Sequence, residues 1–218
     1  MKIGPAIRSL MTPSFERKAA GAYRSVFVDL RKVAMHMALA LPEGAHVLDI
    51  GGGDGELLNL LLAERGDIRV TMVDVAQSVG KFVEPRHKER VQFFPQTTIQ
   101  DHLASVGAIY NAAIVSDVVH HIPPLARTGF ISSVQSSLKS NGVLLVKDVE
   151  PGHAVAWLSL VCDQYVSGDR GVELISVSAL QALAAGCLPA HTTTEVGLLA
   201  HNKPNYLVRF DFQPAVER

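Results

Sequence analysis

The stretch VLDIGGGDGELLNLLL, residues 47–62, constrains this chain more than any other. A short apolar run meets four glycines within five positions (Gly51, Gly52, Gly53 and Gly55), and a leucine-rich run follows. That order reads as strand, tight turn and helix. Such a unit sets a helix N-terminus at the carboxyl end of a strand, where open α/β sheets bind ligands. Glycines there let the main chain touch a ligand and take positive φ. A turn that only redirects the chain does not need four of them. Asp49 precedes the cluster and Asp54 sits within it.

The rest of the chain repeats the alternation. From Ser14 to Leu41 the apolar spacing is helical, with Phe15, Ala19, Tyr23, Val26, Phe27 and Leu30 on one side, and Pro42-Glu43-Gly44 stops it. Thr12-Pro13 reads as its N-cap. Strands are expected at HVLDI, IRVTMVDV, VQFF, NAAIVSDVV and VLLVKDV. Helices are expected at ELLNLLLAER and PLARTGFISSVQSSLKS, the latter closed by Asn141-Gly142. Beyond Glu150 the rhythm loosens into helical stretches at Trp157–Tyr165 and Ser176–Ala185. Two late strands, His191–Leu199 and Tyr206–Phe212, are close enough to pair as an antiparallel hairpin. Strands alternating with helices make a mostly parallel sheet covered on both faces. The division expected is a helical cover, residues 1–41, on a domain of residues 42–218.

Composition narrows the function. With 48% hydrophobic residues the 218-residue chain buries a substantial core. A net charge of −1 with scattered Lys and Arg argues against a nucleic-acid partner. Cys162 and Cys187 have neither disulfide nor zinc spacing, and the histidines show no metal spacing, so no metal is expected. His36, His46, His87, His102, His191 and His201 read as surface or half-buried, whereas His153 follows the fifth strand closely enough to face a substrate. The longest apolar run, VAMHMALALP, is too short to span a bilayer, and no signal peptide is legible; the expectation is a cytoplasmic protein.

Two ligand classes compete for the glycine turn. A dinucleotide site would follow G-x-G-x-x-G, but counting from Gly51 puts Glu56 at the third glycine. A pyrophosphate also sits badly beside Asp49 and Asp54, whereas S-adenosylmethionine is cationic and has no phosphate. Asp74 closes the second strand, where a carboxylate can take both ribose hydroxyls, and Val75 beside it can lie against adenine.

These pieces resemble the class I S-adenosylmethionine-dependent methyltransferases over roughly Pro42 to Asp148. VLDIGGGDG is similar to that family's glycine-rich signature, VDV to its ribose-binding acid, AIVSDVVHHIP to its fourth-strand motif and LKSNGVLLVKDVEP to its fifth-strand region. The resemblance implies a Rossmann-like, seven-stranded, mostly parallel sheet with a C-terminal antiparallel hairpin. It implies a cofactor site of Asp49, Gly51, Gly52, Gly53, Asp74 and Val75, closed by Ser116 and Asp117 at the fourth strand. After the third strand the family often carries Gly-Asp, but this chain has FFPQTTIQD, which leaves the adenine contact open between Thr98, Ile99 and Asp101.

The fourth-strand motif also sorts the chemistry. It lacks the Asn/Asp-Pro-Pro-aromatic sequence of adenine- or glutamine-directed enzymes, and neither cysteine follows a proline as in cytosine C5 enzymes. No acid cluster of the metal-dependent catechol type is evident. The expectation is metal-independent O-, N- or C-methylation of a small molecule, a natural product or lipid headgroup. A nicotinamide oxidoreductase and a non-catalytic cofactor-binding protein are the rivals. His120 and His121 are the candidate bases. In phosphoethanolamine-type members the catalytic histidine lies four residues after the strand acid and works with an N-terminal tyrosine; those positions here are His121 and Tyr23.

Overall fold

The computed structural model describes Arg17, Ser25 and residues 27–157, 171–200 and 203–213. Tyr23, Thr12-Pro13, Cys162, His201, most of residues 14–26 and all of the Trp157–Tyr165 expectation except Trp157 lie outside them. The described elements run α1 (Leu30–Ala40), β1 (His46–Ile50), α2 (Glu56–Glu64), β2 (Arg69–Val73), β3 (Val91–Phe94), α3 (Ile99–Val106), β4 (Tyr110–Ser116), α4 (Pro124–Ser136), β5 (Leu138–Val149), α5 (Val177–Cys187), β6 (His191–Ala200) and β7 (Lys203–Phe212). Short 3₁₀ turns occupy Pro85–Arg90 and Val119–His121.

The seven strands form one sheet in the order β3-β2-β1-β4-β5-β7-β6. Strands β1 to β5 are parallel, and β7 runs antiparallel to both β5 and β6. The expected hairpin is therefore present, with its second strand inserted beside β5. Because β1 is followed by β2 on one side and flanked by β4 on the other, the strand order reverses at β1, leaving a crevice at the carboxyl ends of β1 and β4.

Period-two alternation splits the core between the two faces. Val47, Val70, Ile114 and Leu145 face one way and pack with α1 and α2. Leu48, Val73, Val115 and Val146 face the other and pack with α3, α4 and α5. Full burial of each such side chain is worth roughly 1.5–3 kcal/mol, so the central strands anchor everything at their tips.

Three readings need correction. Helix α3 was not anticipated. Its eight residues follow the N-cap Thr98, whose hydroxyl accepts from the Asp101 N–H (3.1 Å) and donates to the Asp101 carboxylate (2.7 Å). This capping pair is the sequence signal for the helix, and a cap of this kind contributes about 1 kcal/mol. Helix α4 ends at Ser136 rather than at Asn141-Gly142. Leu138 already pairs with Tyr110, and the register shifts before Ala112 meets Val143. Gly142 sits inside this irregular strand, where a β-carbon would come within 2.8 Å of the Leu138 side chain. His87 and His102 are buried rather than superficial. His102 turns inward from α3 to Tyr110, with Nε2 2.5 Å from the phenol oxygen, and burial lowers its pKa.

Candidate active site

Two groups of acids meet at the crevice. The first belongs to β1 and β2. Gly51 has φ +70°, and a β-carbon there would collide with the Val118 side chain, so the glycine turn lies tight against the end of β4. A β-carbon on Gly52 would collide with the Asp49 carboxylate and come within 2.7 Å of the Met72 methyl. The turn is thus shaped around Asp49. That carboxyl is 7% exposed, and burial, with Asp74's charge adding to it, pushes its pKa up to about 7. Asp74 stands one strand away. Its carboxylate accepts from the Gly53 N–H (3.0 Å) and the Ala76 N–H (2.8 Å). Main-chain amides therefore orient it and leave its remaining lone pairs for another donor. Val75 beside it is 73% exposed, an apolar side chain on the rim.

On the same rim, Thr98 is exposed and spends its hydroxyl on the cap of α3. Ile99 is 4% exposed and belongs to the core, so it offers this rim main chain rather than side chain.

The second group belongs to β4 and β5. Ser116 pairs in register with Lys147, and the Asp117 N–H donates to the Lys147 carbonyl (2.9 Å). Asp117 has φ +57°, a left-handed conformation uncommon for a residue other than glycine. Lys147 Nζ reaches both of its carboxylate oxygens, at 2.6 and 2.7 Å. The lysine is 1% exposed and the Asp117 side chain 42%, so the pair is built from beneath and open on one side. Burial alone would raise the Asp117 pKa, but the Lys147 charge and hydrogen bond, with His120 contributing, bring it below the usual value.

One residue along β5, on the other face, Asp148 is fully buried. Its Oδ1 lies 2.5 Å from His120 Nδ1, and its Oδ2 accepts from the His120 main-chain N–H at 3.3 Å. The His121 ring packs on that of His120 with centroids 4.2 Å apart, and is half-buried. The Glu173 N–H donates to the His120 carbonyl (2.9 Å), and Arg127 bonds the carbonyls of Ile122 and Glu173. These contacts tie the turn after β4 to the segment after β5.

The site thus brings together Asp49, Gly51, Gly52, Gly53 and Asp74 on one side, and Ser116, Asp117 and His121 on the other. Sequence reasoning did not assign Lys147 or Asp148 to it. Asp117, His120 and Asp148 place possible metal-ligand atoms within 4.8 Å of one another. In this structure those atoms are already engaged, Asp117 with Lys147 and Asp148 with His120. Among the described residues, no helix is long and apolar enough to cross a membrane.

Comparison with known proteins gives the family and the fold. Residues 23–185 match the model of a family described as "Methyltransferase domain". A carboxy-S-adenosyl-L-methionine synthase of Campylobacter hominis is 25% identical over 115 residues, 51% of this chain and 47% of that protein. Among solved structures, the O-methyltransferase NcsB1 of neocarzinostatin biosynthesis, in complex with S-adenosylmethionine and 2-hydroxy-5-methyl naphthoic acid, superposes with a TM-score of 0.58 at 22% identity. That match covers 81% of this chain and 52% of NcsB1. The 1,6-didemethyltoxoflavin N1-methyltransferase of Burkholderia thailandensis, with 1,6-didemethyltoxoflavin and S-adenosylhomocysteine bound, gives 0.59 at 19% identity over 84% of this chain and 76% of its own. The chain spans about half the length of the curated relative it matches.

Proposed function

The chain belongs to the methyltransferase-domain family, and from that premise we propose that it transfers a methyl group from S-adenosylmethionine to a small-molecule acceptor. The observation that carries the cofactor reading is the acidic turn at the strand-order reversal. Asp49 and Asp74 flank a glycine bend whose closeness to Asp49 leaves no room for a β-carbon at Gly52. Asp74, oriented by main-chain amides, suits a nucleoside with free ribose hydroxyls, and the two acids together favour a cationic ligand over a pyrophosphate. Asp74 would hold the ribose, Gly51 to Gly53 would line the cofactor's path, Val75 and the main chain at Thr98 and Ile99 would border adenine, and Ser116 and Asp117 would close the amino-acid end. The relatives crystallised with S-adenosylmethionine or S-adenosylhomocysteine support the same reading.

When bound, the cofactor supplies a methyl group already activated on a sulfonium. The chain's own work is to align the acceptor and, for a hydroxyl, to take its proton. We assign that proton to His120. Asp148 facing Nδ1 makes Nδ1 the protonated nitrogen of the neutral ring, which leaves the lone pair on Nε2. The same carboxylate stabilises the imidazolium that forms. His121, with Tyr23 as its partner, is the alternative base. The reading favours a hydroxyl acceptor, with N- or C-methylation as the other outcomes and no metal required. Residues 1–41 would cover the acceptor side. The bound small molecules of the two structural neighbours favour an acceptor of that size.

Calorimetry tests the cofactor: S-adenosylhomocysteine should bind at micromolar affinity or better, about −8 kcal/mol. Binding of a nicotinamide dinucleotide with no response to S-adenosylhomocysteine would overturn the reading. Labelled S-adenosylmethionine incubated with metabolite extracts then identifies the acceptor.

A further inference from the structure

Lys147 is 1% exposed, a costly placement for an ammonium. Burying an ammonium is unfavourable unless it is paired with good geometry. Here the geometry is bidentate, with both Asp117 oxygens within 2.7 Å of Nζ. Asp117 itself has φ +57°, a left-handed main-chain conformation that persists where its surroundings enforce it. A left-handed main chain and an opening to the crevice coincide at Asp117, with the buried charge of Lys147 directly beneath it.

The charge balance of this pair differs from that at the glycine turn. Asp49 and Asp74 have no cationic side chain on them among the described contacts, whereas Asp117 is neutralised from below. A lone carboxylate attracts an ammonium and repels a carboxylate. A carboxylate already carrying a lysine keeps free lone pairs for N–H donors and repels a neighbouring carboxylate far less. That combination fits a zwitterion, the α-amino-acid end of the cofactor.

We infer that Lys147 is a positioning residue for cofactor recognition: it holds Asp117 as an ionised, outward-turned acceptor for the α-ammonium while sparing the adjacent α-carboxylate from repulsion. This rests on the S-adenosylmethionine reading above. Lys147 touches no ligand itself and acts through Asp117.

The test compares two probes on the intact chain. S-adenosylhomocysteine carries the amino-acid end, and 5′-methylthioadenosine keeps the nucleoside and the thioether without it. Lys147→Met and Asp117→Asn should each weaken S-adenosylhomocysteine about tenfold or more, the scale of one charge-assisted hydrogen bond, and change 5′-methylthioadenosine less than about twofold. The double variant should bind S-adenosylhomocysteine no worse than Asp117→Asn, because Lys147 works through that carboxylate. Equal losses for both probes, an additive double variant, or unchanged or tighter S-adenosylhomocysteine binding would overturn the inference. If Lys147→Met does not fold, Asp117→Asn decides by the same selectivity. If the unaltered chain binds neither probe, the cofactor reading itself fails, and this inference fails with it.

Discussion

The carboxyl ends of β1 and β2 and the carboxyl ends of β4 and β5 each carry two acids around the same crevice, one enclosed and one open, and the acids are held in opposite ways. At β1 and β2, Asp74 is oriented by the amides of Gly53 and Ala76, and Asp49 is enclosed with that charge nearby. At β4 and β5, Asp117 lies on Lys147 and Asp148 on His120. The first arrangement leaves negative potential for a ligand to satisfy. The second has satisfied its own charges and can serve orientation and proton transfer. On the proposed reading, the β1–β2 end would hold the nucleoside of the cofactor, and the β4–β5 end would take its amino-acid end at Asp117 and carry the proton transfer at His120.

The largest effect expected from breaking this contrast is at His120. Replacing it with Asn should slow methyl transfer about 100-fold or more while S-adenosylhomocysteine affinity stays nearly constant, the range for loss of a general base. His121→Asn should cost less than about tenfold. Single-turnover transfer from labelled cofactor reads both, and a reversed ranking moves the base to His121.

Next comes Asp74. Asp74→Ala should weaken S-adenosylhomocysteine at least about tenfold, through two lost charge-assisted hydrogen bonds to the ribose. Turnover at saturating cofactor should change far less, which a titration alongside the rate assay separates. A lost turnover number with intact affinity would place Asp74 in the chemistry and erase the division between the two ends.

The smallest effect is on stability. Asp49 titrates near 7 when folded and near 3.8 when unfolded. Between those values the folded chain holds a proton that the unfolded chain has released, so stability falls as pH rises from about 4 to about 7 and then levels off. Without ligand, Tm should drop by several degrees, about 5 °C, between pH 5 and pH 8 from this group. Asp49→Asn should remove that part of the slope, and an identical slope in the variant would show that Asp49 is not the group responsible.

What the chain determined by itself was local. The strand, glycine turn and helix of residues 47–62, Asp74 at its strand end and the closing hairpin were legible because each depends on neighbours a few residues away. Helix α3 was equally local, and its Thr98–Asp101 cap was simply not read. The start of β5 was obscured because Leu138 to Asn141 continue a helical-looking run; only pairing with Tyr110 makes Leu138 a strand residue. The partners of the second group of acids were not legible at all. Lys147 meets Asp117 across 30 residues and Asp148 meets His120 across 28, with the whole of α4 between them. The parallel crossover sets β5 beside β4, and the pleat sends Lys147 to one face and Asp148 to the other. Until that sheet forms, a lysine followed by an aspartate is two ordinary charges; burial and register turn them into two separate partners.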